Sequence, residues 1–261
     1  MGKIYTLVNQ KGGVGKTTTA INLGSYLGYY GQRILLVDLD PQANATSCLG
    51  IDKLSVKNGT YEVLSGSAPI AAHILHNPQL KISLLPSSPA LSGAEVEMIG
   101  IPSREFKLRE ILSTISDRYD YILIDCPPSL NLLTVNGLVA ARDGVIIPVQ
   151  CEYLALEGLG QLIQTLDKVR ARLFPELRVR GVVMTMYDGR TKLAMDVVAE
   201  VKKHFPAEVF NTVIPRSIRI AEAPSYGVPI TRYAPDSTGA RAYNELAGEL
   251  LTGDGINIKT N

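Results

Sequence analysis

Cysteine and histidine are scarce in this sequence of 261 residues, and neither forms a recognisable ligand pattern. The three cysteines, Cys48, Cys126 and Cys151, include no C-x-x-C pair, and their number is odd. This argues against both a disulfide framework and a zinc site. The three histidines also lack the spacing of metal ligands. We therefore expect reduced thiols and a cytoplasmic location.

The sequence also has almost no net charge and no long apolar run. The 26 basic and 25 acidic side chains leave a net charge of +1, so any DNA-binding surface must be a local patch. No uninterrupted apolar stretch is long enough to cross a bilayer, and the first apolar run leads directly into a glycine-rich loop. We therefore expect neither a transmembrane segment nor a signal peptide. Hydrophobic residues make up 46% of the chain, which predicts a folded protein with a sizeable core.

The glycine-rich loop, residues 11–18 (KGGVGKTT), lies between an apolar, β-rich run and a helical pattern. At such a junction, unpaired backbone N–H groups and the positive end of the helix dipole favour an anion. Lys16 adds a charge for the β- and γ-phosphates of a nucleotide, and the Thr17 hydroxyl can ligate Mg²⁺. The loop departs from the usual pattern because Gln10 stands at its first glycine position and Lys11 follows. The predicted nucleotide contacts here are Lys11, Gly12, Gly13, Val14, Gly15, Lys16, Thr17 and Thr18.

Runs rich in Ile, Leu and Val alternate with helical patterns along the chain. This alternation predicts a single doubly wound α/β domain of the P-loop NTPase type, with a mainly parallel, twisted sheet flanked by helices. We assign residues 1–252 to this domain and expect 253–261 to be a short, frayed polar tail. The predicted strands are 4–8, 33–39, 81–86, 119–125, 144–149, 179–186 and 208–211. The predicted helices after the loop are 104–118, 131–141, 155–173, 192–204 and 237–251, with short helices and loops in 43–80 and a long connection in 87–102.

Two of the predicted strands end in carboxylates. Asp38 and Asp40 follow the second strand, and Asp125 ends the fourth. Ligands bind at the carboxyl ends of strands in open α/β sheets, and a terminal aspartate there can reach Mg²⁺ directly or through water. The alternative is that Asp125 is a capping residue without a metal role. That interpretation is reasonable for Asp125 considered alone, but the phosphate loop in the same sequence makes it weak.

The loop, together with DLDPQ at 38–42 and DCPPS at 125–129, resembles the deviant-Walker ATPases, which include ParA/Soj partition proteins, MinD and the nitrogenase iron protein. Five longer blocks resemble ParA/Soj most closely, and on them the chain is identified as a member of the ParA-type partition ATPases. These blocks are residues 38–46, 124–130, 149–159, 184–191 and 212–230.

The resemblance implies roles for particular residues. Lys16 would contact the transferred phosphate, and Lys11 would reach the partner's phosphates across a dimer, in the manner of an arginine finger. Asp40 would orient the attacking water, while Asp38 would brace the loop and the metal shell. The implied catalytic set is Lys11, Lys16 and Asp40; the implied magnesium set is Thr17, Asp40 and Asp125; the implied adenine pocket includes Met186 and Pro215.

The resemblance also implies partners. MgATP would drive a sandwich homodimer that binds double-stranded DNA without sequence preference, and a ParB-type partner would stimulate hydrolysis and release the DNA. We therefore expect association with the nucleoid. Phosphate contact rather than base readout is expected, although solvated surface charges are a serious alternative. The candidate DNA contacts are Arg190, Lys192, Arg216 and Arg219, with Arg232, Lys202 and Lys203 as outer members.

Other members of the superfamily suggest functions that we do not expect here. Cys126 has no second cysteine in a matching glycine-rich loop, so an iron–sulfur cluster is not expected. The tail has too little apolar face for a membrane helix, and the loop begins too early for a preceding helix-turn-helix region. A MinD-like regulator that positions division or another cargo is the main alternative. A monomeric kinase-like enzyme and an interaction switch without DNA cargo are two further ones.

Overall fold

The computed structural model describes residues 1–153 and 155–257, in which eight strands form one sheet. The strands are β1 Lys3–Leu7, β2 Ile34–Asp38, β3 Leu75–Asn77, β4 Ile82–Leu85, β5 Tyr121–Asp125, β6 Gly144–Gln150, β7 Val179–Tyr187 and β8 Val209–Pro215. The helices are α1 Lys16–Tyr29, α2 Asn44–Cys48, α3 Thr60–Ser65, α4 Leu91–Glu97, α5 Lys107–Ser113, α6 Leu132–Ala140, α7 Ala155–Arg172, α8 Lys192–His204, α9 Ile218–Glu222, α10 Ile230–Tyr233 and α11 Thr238–Gly253.

The sheet has the strand order β3-β4-β2-β5-β1-β6-β7-β8, and its pairs are parallel except for β3 with β4. The chain therefore starts in the middle of the sheet and winds outward in both directions. Every residue of β2 and β5 is buried, which explains their continuous apolar runs, because helices cover both faces of the sheet. The predicted doubly wound, mainly parallel fold is confirmed.

Alternating side chains of the central strands divide the core between the two faces. Leu36 packs in the cluster that includes α1 and α11, whereas its neighbours Leu35 and Val37 pack in the cluster that includes α4 and α5. A third cluster joins β6 and β7 to α7 and α8. No helix in the described ranges is both long enough and apolar enough to cross a bilayer.

Some segments differ from the sequence-based predictions. The edge strand β3 was not expected, since all three of its residues are exposed and give no apolar pattern. The connection 87–102 contains α4, whose Leu91 and Ala94 are buried together with Met98 beyond it. The helix expected over 104–118 begins with one 3₁₀ turn and continues only as α5, to Ser113. These boundaries depend on packing that local patterns do not encode.

The chain beyond α11 is anchored where the sequence predicted a frayed tail from residue 253. Asp254 accepts hydrogen bonds from the Tyr5 and Tyr121 hydroxyls at 2.8 and 2.9 Å and from Arg180 Nε at 3.1 Å. Burial, reinforced by Asp254, raises the pKa of both phenols above their usual range. Ile256 packs against the core, so the chain is held at least that far. The rest of the predicted tail, 258–261, lies outside the described residues.

We expect Asp254→Ala to lower the free energy of unfolding by about 2–4 kcal/mol, because two buried phenols lose their acceptor and the Arg180 guanidinium loses its carboxylate partner. Urea denaturation measures the loss. Asp236→Ala, which removes an exposed carboxylate near the start of α11, is the matched control. Equal unfolding midpoints for the two variants would contradict the anchoring role.

Candidate nucleotide site

The predicted site residues meet at the carboxyl edge of three neighbouring strands. Leu7 at the end of β1 is in register with Asp125 at the end of β5, and Asp125 is in register with Asp38 at the end of β2. The phosphate loop follows β1, so it lies beside both groups of aspartates. The parallel register therefore brings together residues more than 100 positions apart in the chain.

The phosphate loop has the backbone conformation that its glycines permit. Gly13 and Gly15 have φ of 75° and 92°, a left-handed conformation that side chains disfavour, and α1 begins directly after Gly15. A Cβ at Gly12 or Gly13 would meet nothing within 4 Å, so this part of the loop is open. The Thr185 hydroxyl donates a 2.8 Å hydrogen bond to the Val14 carbonyl and ties the loop to β7. Sequence reasoning did not single out Thr185.

Lys16 is buried at the base of the loop. Only 7% of the residue is exposed, and its Nζ donates to the Lys11 carbonyl at 3.2 Å. Burial lowers the pKa of Lys16, against the opposing effect of the Asp125 charge. An ammonium has three donors, so this one retains hydrogen-bonding capacity for phosphate oxygens.

Thr17 and Asp125 form a pair suited to a magnesium ion. The Thr17 hydroxyl donates a 2.6 Å hydrogen bond to Asp125 Oδ2, while Asp125 Oδ1 is buried without a partner among the described residues. Burial, with a further contribution from Asp38, raises the pKa of Asp125. A hydroxyl and a carboxylate oxygen that lacks a partner are the oxygen ligands that Mg²⁺ prefers. The residues present therefore fit the ion that the sequence predicted.

Asp38 and Asp40 lie in the same turn but have different surroundings. Asp38 is fully buried and accepts from Asp40 N at 3.2 Å and from the Thr46 N and Oγ1 at 2.8 and 2.7 Å. Burial raises the pKa of Asp38 to about 6. Asp40 is 5% exposed, and its Oδ1 accepts from the Gln42 N at 2.8 Å. Both carboxylate oxygens of Asp38 therefore accept hydrogen bonds within the turn, whereas the Asp40 carboxylate lies near enough to Lys16 to act on its pKa.

Lys11 has a partner within its own chain, which the sequence did not suggest. Its Nζ lies 4.0 Å from Glu152 Oε2, with 30% of the lysine side chain and 45% of the glutamate side chain exposed. Glu152 also accepts from Arg216 Nη2 at 3.1 Å. Beside Lys11 an open groove of about 480 Å³ extends between Leu130 and the start of α7.

The two residues predicted to lie near the adenine are at neighbouring strand ends. Met186 is the penultimate residue of β7 and has a left-handed φ of 51°, and Pro215 is the last residue of β8. Tyr187 is in register with Pro215, and its carbonyl accepts from Arg216 N at 3.0 Å. Thr185 connects this end of β7 to the phosphate loop, so both predicted parts of the site belong to one edge of the sheet.

The predicted DNA contacts are exposed, but several are already paired. Arg190 bonds to Asp188 at 2.7 Å and lowers the pKa of that carboxyl to about 2, and Arg219 bonds to Glu222 at 3.1 Å. Arg216 is held by Glu152, and of the outer members Lys203 is held by Glu200. Lys192, the first residue of α8, is exposed and has no ion pair within the described ranges. The patch is therefore less positive in a single chain than its arginines alone suggest.

Three comparisons relate the chain to known proteins. A family model described as an AAA domain matches residues 2–179. The sporulation initiation inhibitor protein Soj of Bacillus subtilis is 51% identical over 250 residues, which cover 96% of this chain and 98% of that protein. The chromosome-partitioning ATPase Soj of Thermus thermophilus is 53% identical over 245 residues, or 94% of each chain. A crystal structure of cobyrinic acid a,c-diamide synthase from Mycobacterium smegmatis, with bound ADP and magnesium, has a TM-score of 0.86 and 36% identity over the whole of both chains.

A phosphate loop with two lysines, a threonine–aspartate pair and a doubly wound sheet define a P-loop ATPase that uses MgATP. The structural neighbour is named for a different reaction, so the shared fold does not by itself specify the function. The two Soj proteins match almost the entire chain. The chain belongs to the Soj/ParA family of chromosome-partitioning ATPases. The predictions of an ATPase and of ATP and magnesium as its ligands are confirmed at the level of the family.

Replacing Thr17 by valine should weaken magnesium-dependent nucleotide binding by roughly 10–100-fold, because the isosteric side chain has lost the hydroxyl that meets Asp125. Thr17→Ser retains the hydroxyl and should bind like the wild type. A fluorescent ATP analogue titrated with and without Mg²⁺ measures the effect. Unchanged magnesium dependence in Thr17→Val would show that the Thr17 hydroxyl is not part of the metal site.

Proposed function

We propose that the chain is a DNA-partition ATPase in which MgATP drives a two-fold sandwich dimer, the dimer binds DNA without sequence preference, and hydrolysis releases it. A ParB-type protein that binds the cargo stimulates the hydrolysis, and the ATP-bound dimer associates with the nucleoid. The observation that carries the proposal is the meeting of Lys16, Thr17, Asp40 and Asp125 at one edge of the sheet, with a second lysine at the mouth of the loop.

The surroundings of Lys11 support a role in trans. Lys16 already occupies the base of its own loop, whereas Lys11 lies at the loop's exposed front. Its contact with Glu152 is long and partly exposed, and such pairs contribute less than about 1 kcal/mol. A triphosphate in a second subunit offers several negative charges, so Lys11 exchanges its partner at little cost. In that position it would neutralise charge in the transition state.

The surroundings of Asp40 support the proposed role of orienting the attacking water. Its backbone is fixed by the turn, and its carboxylate lies close enough to Lys16 to oppose the lowering of the lysine pKa. The Thr17–Asp125 pair supports the metal side of the site, and Asp40, which the sequence also assigned to the magnesium set, would orient the attacking water. The magnesium ion, when bound, neutralises charge on the phosphates.

We expect Asp40→Ala to bind ATP and accumulate as a dimer, with phosphate release reduced by at least about 100-fold, since the nucleophile is no longer oriented. Lys11→Ala should bind ATP in its own loop but remain monomeric. Light scattering with ATP and steady-state phosphate release measure both outcomes. A basic N-terminal peptide from a ParB-type protein should accelerate the wild type alone.

Lys57→Ala, an exposed lysine outside the site, is the control for loss of charge. Turnover of Asp40→Ala at the wild-type rate would remove Asp40 from the mechanism. A wild-type protein that hydrolyses ATP while it remains a monomer would contradict the sandwich dimer and favour the kinase-like alternative.

DNA binding should require ATP, because dimerisation places the basic patches of two subunits, each weakly positive alone, on one surface. Arg190→Ala and Arg219→Ala should each weaken binding on random DNA and reduce the slope of log affinity against log salt by about 2, since each removes two phosphate contacts per dimer. Gel shifts at several salt concentrations measure this. Arg33→Ala removes an ion-paired arginine that precedes β2, at the opposite edge of the sheet, and should change nothing.

Variants that dimerise and bind DNA as tightly as wild type at every salt concentration would show that the patch lies elsewhere. Sedimentation with liposomes and ATP tests the MinD-like alternative in parallel. ATP-dependent sedimentation without DNA binding would favour that function instead.

A further inference from the structure

A closed ring of four hydrogen bonds surrounds the turn that carries Asp40. Asp40 N donates to Asp38 Oδ1 at 3.2 Å, and the Thr46 hydroxyl donates to Asp38 Oδ2 at 2.7 Å. Ser87 N donates to the Thr46 hydroxyl oxygen at 2.9 Å, and the Ser87 hydroxyl donates to the Asp40 carbonyl at 2.8 Å. All four residues are at most 5% exposed.

The ring holds the backbone of Asp40 on both sides. Its N–H is directed to Asp38, and its carbonyl accepts from Ser87 and from Ala43 N at 2.8 Å. Together these contacts fix the peptide planes on either side of the Asp40 side chain. The direction of the carboxylate therefore depends on partners that do not themselves reach the nucleotide.

The ring also connects three separate elements. Asp38 ends β2, Thr46 lies in α2, and Ser87 stands in the connection that follows β4. Hydrogen bonds in such a buried network are stronger than in water, and leaving one partner unsatisfied is costly. The Asp40 turn is thus held by the end of β2, by α2 and by the connection that follows β4.

We propose that Thr46 and Ser87 are positioning residues that aim the Asp40 carboxylate at the attacking water; this rests on the proposed role of Asp40. Neither residue touches the nucleotide loop, so their effect is on the rate of hydrolysis rather than on ATP binding. A displacement of about 1 Å in a catalytic group costs on the order of 100-fold in rate. Loss of one hydrogen bond of the ring should let the Asp40 carboxylate move by less than about 1 Å.

Ser87→Ala and Thr46→Val should each lower kcat by about 10–100-fold while changing KM for ATP and ATP-dependent dimerisation by less than about 3-fold. Thr46→Ser retains the hydroxyl and should restore most of the rate. The control is Thr6→Val, which removes an equally buried hydroxyl that bonds to the Gly137 carbonyl at 2.6 Å. It should lower stability without lowering kcat. Single-turnover phosphate release, nucleotide titration and urea unfolding measure these quantities.

The inference is overturned if Ser87→Ala and Thr46→Val lose no more kcat than Thr6→Val at equal stability, or if kcat and nucleotide affinity fall together. If Thr46→Val does not fold, Ser87→Ala alone tests the inference. It removes one hydroxyl but keeps the Ser87 N–H that donates to Thr46. Asp40→Ala in the same assay distinguishes a failure of the proposed role of Asp40 from a failure of the inference about Thr46 and Ser87. Full activity of Asp40→Ala overturns its proposed role and this inference with it, whereas an inactive Asp40→Ala beside normal ring variants overturns the inference only.

Discussion

The burial of one ammonium among three carboxylates, at the end of three parallel strands, is the constraint on which the rest of the structure depends. Lys16, Asp38, Asp40 and Asp125 are each at most 7% exposed, so water contributes little to stabilising their charges. Burial lowers the pKa of Lys16 and raises that of Asp125, which means that each charge depends on its neighbours. A divalent cation and a polyphosphate are the ligands that complete such a set.

Several contacts away from the charges hold this arrangement in place. Thr185 fixes the phosphate loop from β7, and the ring through Thr46 and Ser87 fixes the Asp40 turn from α2 and from the connection after β4. At the opposite edge of the sheet, Asp254 joins β1, β5 and β7 through their tyrosine and arginine side chains. Strands that carry the site at one end are therefore tied together at the other.

Several positive charges around the candidate DNA contacts are compensated within the chain. Glu152 lies near the Lys11 ammonium and bonds to Arg216, so one carboxylate faces both the mouth of the phosphate loop and the arginine-rich segment. These pairs are exposed and weak, unlike the buried set. Under the proposed function, a second subunit's triphosphate or a DNA backbone would compete with these pairs at little cost. The balanced net charge of +1 is thus compatible with binding to polyanions.

The sequence by itself determined the alternation of strands and helices, the phosphate loop and the aspartates at the strand ends, because each is a local pattern of a few residues. It did not reveal the edge strand β3, helix α4 or the anchoring of Asp254, and it did not relate Thr46 to Ser87 or Lys11 to Glu152. Those partners are 41 and 141 positions apart, and the Tyr5–Asp254 pair is 249 apart. Only the tertiary structure decided them, because the register of parallel strands and the packing of connections set which distant side chains meet.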